Sequence, residues 1–134
     1  MNNSIAIIGG GPVGAIFALL NNSQTSKIFL LESNSQIQTK SDKRALALSS
    51  GTKFILQKID VWNDLEAGLT PIKTIHTSQK GTFGRSIMEA KEFEQEALGY
   101  IISYGDLLKA LQKKISHSKN IEAFYNAKVL SFVS

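Results

Sequence analysis

Gly9, Gly11 and Gly14 stand in the run Ile8-Gly9-Gly10-Gly11-Pro12-Val13-Gly14, at the spacing Gly-x-Gly-x-x-Gly. Each has a physical use when a diphosphate must lie against the backbone. Gly9 permits a tight turn out of a strand. Gly11, lacking a Cβ, lets a pyrophosphate approach. Gly14 lets the following helix pack close to the strands, and Ala18, one turn on, keeps that face small. A helix beginning here turns free N–H groups and a partial positive charge toward the phosphates. Glu32 follows 18 residues after Gly14, where a carboxylate can accept hydrogen bonds from adenosine ribose hydroxyls and would repel a 2′-phosphate. NAD and FAD both carry adenosine and a pyrophosphate, and these residues do not choose between them. The bland alternative, a tight turn with an ordinary acid after it, is disfavoured by the coincidence of glycines, small Ala18 and acid.

Other residue types point to less. There is no cysteine, which excludes disulfides, thiolate zinc sites and Cys nucleophiles. The two histidines, His76 and His117, have no ligand spacing, so no metal site is expected. His76 could act as a base, but a partly buried strand histidine is the simpler reading, and His117 reads as solvated. Glu89, Glu92, Glu94 and Glu96 read as a solvated loop, and no Ser–His–Asp grouping is legible. The net charge is +4, from 15 basic and 11 acidic residues, with Lys109, Lys113, Lys114 and Lys119 as the one local concentration. No aromatics interleave them, so they read as a solvated helix face and not as a nucleic-acid surface.

The elements that must position the glycine turn can be read from periodicity. Ser4–Ile8 is a short buried strand, Val13–Leu20 a helix and Lys27–Glu32 a second strand, which together make one βαβ unit. Ser33–Asp42 is a polar loop. Ser49–Ile59 can form a helix with Phe54, Ile55 and Ile59 on one side, and Val61–Ala67 a further short turn of helix. Ile72–Ser78 alternates as a strand, Lys80-Gly81-Thr82 turns it, and Gly84–Met88 returns antiparallel. Ala97–Ser103 is another strand. Asp106–Ile115 is a helix with Leu107, Leu108, Leu111 and Ile115 on one stripe. Ile121–Tyr125 and Lys128–Val133 complete the pattern as two strands. A chain of 134 residues with 43% hydrophobic and 19% charged residues is too apolar for a disordered tail and is one domain or part of one. The apolar run Val13–Leu20 is too short to span a membrane, and no basic residue precedes it, so a cytoplasmic chain is expected.

Further segments carry a family resemblance. Ser4–Gly14, then Asp42-Lys43-Arg44-Ala45-Leu46-Ala47-Leu48-Ser49, then Leu56, Ile59 and Trp62 follow a familiar order. Thr70–His76, Lys80–Arg85 and Ala97–Tyr100 continue it. The chain resembles the N-terminal part of the class A FAD-dependent aromatic monooxygenases, in their ubiquinone-biosynthesis hydroxylase branch.

That resemblance implies an α/β fold: a Rossmann-like FAD-binding βαβ unit with the start of an inserted antiparallel sheet, in an incomplete domain. Residues 1–134 would be the N-terminal part of the FAD-binding domain, with 70–103 beginning the sheet on the substrate side. It implies bound FAD, NAD(P)H as co-substrate, and transfer of one oxygen atom from O₂ to a polyprenyl-phenol. Gly9, Gly11, Pro12, Val13 and Gly14 would wrap the pyrophosphate, Glu32 would take the ADP ribose, and Arg44 would lie along the cofactor. Arg44's five fixed donors suit phosphate or ribose oxygens. Val129 matches a position that meets adenine with its backbone. Phe83 and Tyr100 face either the aromatic substrate or the core. Ser33 stands where the family often has Arg or Lys, and Tyr104 where relatives more often carry an amide or arginine facing the flavin. The full-length protein would associate with the inner membrane peripherally or with a biosynthetic complex. This chain alone is expected to be inactive, since later cofactor segments of the family are missing from it. A nucleotide-binding module without turnover is the alternative function. An NAD-linked dehydrogenase is a third, and the Arg44–Ser49 segment argues against it.

Overall fold

A computed structural model describes residues 3–23, 26–36, 42–78, 80–81 and 84–133. Branched residues at the start form β1 (Asn3–Ile8), the glycine turn breaks it, and Pro12, with its φ preset for a first helical position, opens α1 (Pro12–Leu20). The chain returns as β2 (Ser26–Leu31), parallel to β1 in the register Ile5↔Ile28 and Ile7↔Leu30. β8 (Ile121–Phe124) adds to the far edge of β2, again parallel, so the first sheet has the order β1-β2-β8.

A second sheet is antiparallel and has the order β3-β7-β4, from β3 (Ala45–Ser49), β7 (Gly99–Ser103) and β4 (Thr70–Ile72). β4 is an edge strand, which tolerates Pro71. β5 (Thr74–Ser78) and β6 (Arg85–Glu89) form a separate hairpin. The expected single strand Ile72–Ser78 is therefore two: the chain changes sheets at Lys73, whose carbonyl accepts the Ala90 N–H at 2.8 Å. His76 lies on β5 as a strand residue but is exposed, contrary to the expected partial burial.

Two capped helices flank the second sheet. Ser49 Oγ accepts the Thr52 N–H to start α2 (Ser50–Lys58), and Ser103 Oγ accepts the Asp106 N–H to start α4 (Tyr104–Ser116). Between them lie α3 (Trp62–Leu65) and a 3₁₀ turn over Glu66–Gly68. The α4 stripe is as expected, with Leu107, Leu108, Leu111 and Ile115 buried. α2 differs: Leu56 is its fully buried residue, whereas Phe54 is 68% exposed. The helix turns its Leu56 side inward because Ile59, Val61, Trp62 and Leu65, just beyond, extend that same core. One hydrophobic cluster joins both sheets, from Ala15, Ile28 and Leu30 through Leu111 and Ile102 to Trp62.

The segment Lys128–Val133 forms no strand. Asn126 adopts φ 55°, which turns the chain out of β8, and Leu130, Phe132 and Val133 are almost wholly exposed. β8 has an open outer edge, but the turn at Asn126 carries the segment away without pairing to it, and unpaired β propensity does not make a strand. Among the described residues, no helix is long and apolar enough to cross a membrane and no group of three potential metal ligands occurs.

Candidate functional site

The end of β1, the start of α1 and the end of β2 converge at the glycine turn. Gly9 takes φ +103°, a region that side-chain-bearing residues rarely enter, and its N–H donates to the Leu31 carbonyl at 2.8 Å. A Cβ on Gly14 would stand 1.9 Å from the Gly9 carbonyl oxygen, so close packing of helix on turn demands glycine there. Gly10 abuts Glu32, with a hypothetical Cβ at 2.9 Å from the Glu32 Cβ. Gly11 differs from all three. It has an ordinary extended backbone, and a Cβ on it would meet only the Tyr104 hydroxyl, at an unstrained 3.6 Å. No side chain caps α1, so the N–H groups of Val13 and Gly14 have no intrahelical acceptor.

Glu32 is held by its own neighbours. Its Oε2 accepts the Gly10 N–H at 2.7 Å, and its Oε1 accepts the Asn34 N–H and Nδ2–H, both at 2.8 Å, and the Ser33 hydroxyl at 3.3 Å. Desolvation raises its carboxyl pKa, but these hydrogen bonds outweigh it, Asn34 and Gly10 N–H first, and hold it below the ordinary carboxylate value. Glu32 is therefore ionised at neutral pH, with four donors already on its oxygens. Its backbone N–H donates to Phe124 O and its carbonyl accepts from Ala127 N–H, each at 2.8 Å. This ties the segment after β8 to the end of β2.

Arg44 comes from the stretch before β3. Its carbonyl accepts the Tyr104 N–H at 2.7 Å, and Asp42 O accepts the Gly105 N–H at 2.9 Å, which pins 42–44 to the start of α4. The guanidinium donates to Asp42 through Nε at 3.0 Å and a terminal nitrogen at 2.6 Å, and it stacks on the Tyr104 ring at 4.5 Å. Those hydrogen bonds hold the Asp42 carboxyl below its usual value.

Gly10, Gly11, Glu32, Asn34, Asp42, Arg44 and Tyr104 line one cavity of about 310 Å³. Pro12 and Val13 present their side chains elsewhere, to an apolar groove of about 580 Å³ with Phe17, Leu46 and Ile55, while their backbone forms the helix start. Val129 is half-buried and lies outside the cavity lining, two residues beyond the tethered Ala127. Phe83 lies outside the described residues. Tyr100 is buried, with its ring edge-on to Trp62 at 5.0 Å and its hydroxyl accepting from Lys53 Nζ at 3.0 Å, so it packs in the core.

Sequence reasoning missed Gln112. It lines the same cavity from α4, with Leu108 one turn before it, and is 4% exposed. The available signal was a polar residue on the apolar stripe of Leu108, Leu111 and Ile115. Ser33, noted as a departure from the family pattern, is a hydrogen-bond partner of Glu32.

No protein-family model matches the chain. It is 27% identical over 130 residues to an uncharacterized protein of Synechocystis sp., covering 97% of this chain and 31% of that protein. Solved structures share its fold. A form of 2-methyl-3-hydroxypyridine-5-carboxylic acid oxygenase superposes at TM-score 0.72 with 16% identity, over 94% of this chain and 32% of the other. The p-nitrophenol 4-monooxygenase PnpA of Pseudomonas putida does so at 0.70 with 20% identity, over 92% and 32%. The flavin-dependent monooxygenase PieE, solved with FAD and substrate, does so at 0.70 with 16% identity, over 94% and 24%. The chain thus has the α/β fold of part of these monooxygenases, and spans about a third of the curated relative's length.

Proposed function

We propose that the chain binds FAD through the ADP half and is the nucleotide-binding portion of an FAD-dependent aromatic monooxygenase. Gly11 carries this reading. Its backbone needs no glycine and a Cβ there would make only an ordinary contact with the Tyr104 hydroxyl, so the fold leaves that position unexplained. A pyrophosphate lying against the backbone accounts for it.

The residues present fit such a ligand. The Val13 and Gly14 N–H groups and the Arg44 guanidinium would hold the pyrophosphate, with Arg44 exchanging Asp42 for phosphate oxygens. Glu32 would accept the ribose hydroxyls by releasing the Ser33 hydroxyl and the Asn34 side chain, and would keep both backbone donors. Tyr104, stacked on Arg44, would limit water beside the phosphates. When bound, FAD would supply the redox chemistry, with NAD(P)H as reductant and O₂ as the oxygen source.

The finer reading is a polyprenyl-phenol substrate, a place in ubiquinone biosynthesis and work at the inner-membrane surface. It is supported by the sequence segments Arg44–Ser49, Lys80–Arg85 and Ala97–Tyr100. A non-catalytic module that holds an adenosine nucleotide is the second reading, favoured by a cavity whose residues would suit the adenosine diphosphate half that FAD and NAD share. The test is the visible spectrum of the protein after incubation with FAD and gel filtration, with NAD binding measured alongside. A retained flavin band supports the proposal. Retention of NAD and not FAD, or of neither, overturns it.

A further inference from the structure

Among the described residues, one polar side chain inside the molecule has no protein partner. Gln112 is the buried polar residue among the described residues, and no hydrogen bond to its carboxamide occurs among them. Every fully enclosed side-chain nitrogen or oxygen among those residues is hydrogen-bonded. The Gln112 amide is therefore not sealed in the core: it opens on space, and that space is the cavity it shares with Gly11, Glu32 and Arg44. Its neighbours on α4, Leu108, Leu111 and Ile115, are buried and apolar, so a leucine would suit the helix better.

We infer that Gln112 recognises the nucleoside end of a nucleoside diphosphate, or of a dinucleotide containing one, bound in this cavity; the inference rests on the nucleotide reading above. The groups suited to phosphate gather at one end, where the α1 N-terminus, Arg44 and Tyr104 meet at Gly11. Gln112 lies eight residues beyond Tyr104 on α4, about 12 Å along the axis at 1.5 Å per residue. A carboxamide has no charge and offers two donors and one acceptor, which matches sugar hydroxyls or the edge of a base. The Glu32 carboxylate, which has no basic partner among the described residues, also disfavours a second phosphate away from Arg44.

The test compares the 134-residue chain with Gln112→Leu by calorimetry, using ADP and inorganic pyrophosphate. The ¹⁵N spectrum of the wild-type side-chain amides is followed with each ligand. Gln112→Leu should weaken ADP binding about tenfold, the loss of one to two hydrogen bonds, and leave pyrophosphate binding unchanged. The wild-type Gln112 amide signals should move with ADP and stay with pyrophosphate. If ADP binds both proteins equally and those signals do not move, the role of Gln112 is refuted and the nucleotide reading stands. Equal loss of ADP and pyrophosphate binding refutes the nucleoside end. No ADP binding by wild type refutes both. Should the leucine variant misfold, Gln112→Met and the wild-type spectrum give the same answer.

Discussion

Adding a single methyl group at Gly11 or at Gly14 should separate folding from binding. At Gly14 the new Cβ would lie 1.9 Å from the Gly9 carbonyl oxygen, against a practical limit of 3.0 Å, so the turn and helix must part by more than 1 Å. Both atoms belong to backbone that cannot swing aside. Overpacking of this kind costs about 1–3 kcal/mol, and a backbone clash belongs at the upper end. For a chain of this size about 3 kcal/mol lowers Tm by ~10 °C. At Gly11 the Cβ would sit 3.6 Å from the Tyr104 hydroxyl, in ordinary contact. There the loss of unfolded-chain entropy and the poorer helix cap, each ~0.5–1 kcal/mol, oppose one another and leave Tm within ~3 °C. Yet that methyl occupies the space a pyrophosphate needs. Thermal melts and FAD titrations of Gly11→Ala and Gly14→Ala are the assay. Gly11→Ala should melt like wild type and bind at least tenfold more weakly, by loss of about 1.4 kcal/mol or more. A Gly11→Ala protein that binds FAD normally would refute the reasoning, as would a Gly14→Ala protein with unchanged Tm.

Arg44→Lys keeps the charge and loses the planar fork, so flavin retention should fall while apo Tm hardly changes, since the Arg44 side chain is 71% exposed; a large loss of apo stability with intact binding would make Arg44 structural. Asp42→Asn removes the carboxylate that occupies Arg44 and should tighten ADP binding about two- to fivefold, the worth of an exposed ion pair; no change by calorimetry would show that Arg44 does not exchange partners. The folded-state pKa of Glu32 is depressed, so its contribution to stability is present above its unfolded value of about 4.5 and is lost as pH falls through the lower folded value. Melting curves from pH 6 to pH 3 should therefore fall more steeply for wild type than for Glu32→Ala, and parallel curves would contradict the hydrogen-bonded carboxylate. With FAD, NADPH, O₂ and a prenylated phenol, the 134-residue chain should yield no hydroxylated product; coupled product formation would show that it holds a complete catalytic site.

The glycine turn was legible because its residues act locally. Gly9 must turn, Pro12 starts a helix and the flanking Ile residues form a strand, so β1, α1 and β2 fall within a residue or two of their expected bounds. The α4 stripe and the β5–β6 hairpin were readable for the same reason. β3 was not. Ala45-Leu46-Ala47-Leu48 carries little strand preference, and only its antiparallel pairing with Ser103–Gly99 makes it extended. Lys128–Val133 shows the converse, strand-like residues that stay unpaired although the edge of β8 is open. In the site, Glu32 and Arg44 were readable from spacing and resemblance, but the Asp42 clasp on Arg44 and the presence of Gln112 in the cavity arise from tertiary packing between segments far apart in sequence.

Competition between FAD and ADP tests most directly whether the cavity at the glycine turn holds the adenosine diphosphate half of the cofactor. Calorimetric titration of the chain with FAD, repeated in saturating ADP, should show binding to one site in the first case and its suppression in the second. Gly11→Val should abolish the heat of both ligands. FAD binding that ADP leaves untouched, or that survives Gly11→Val, would place the cofactor elsewhere and contradict the assignment.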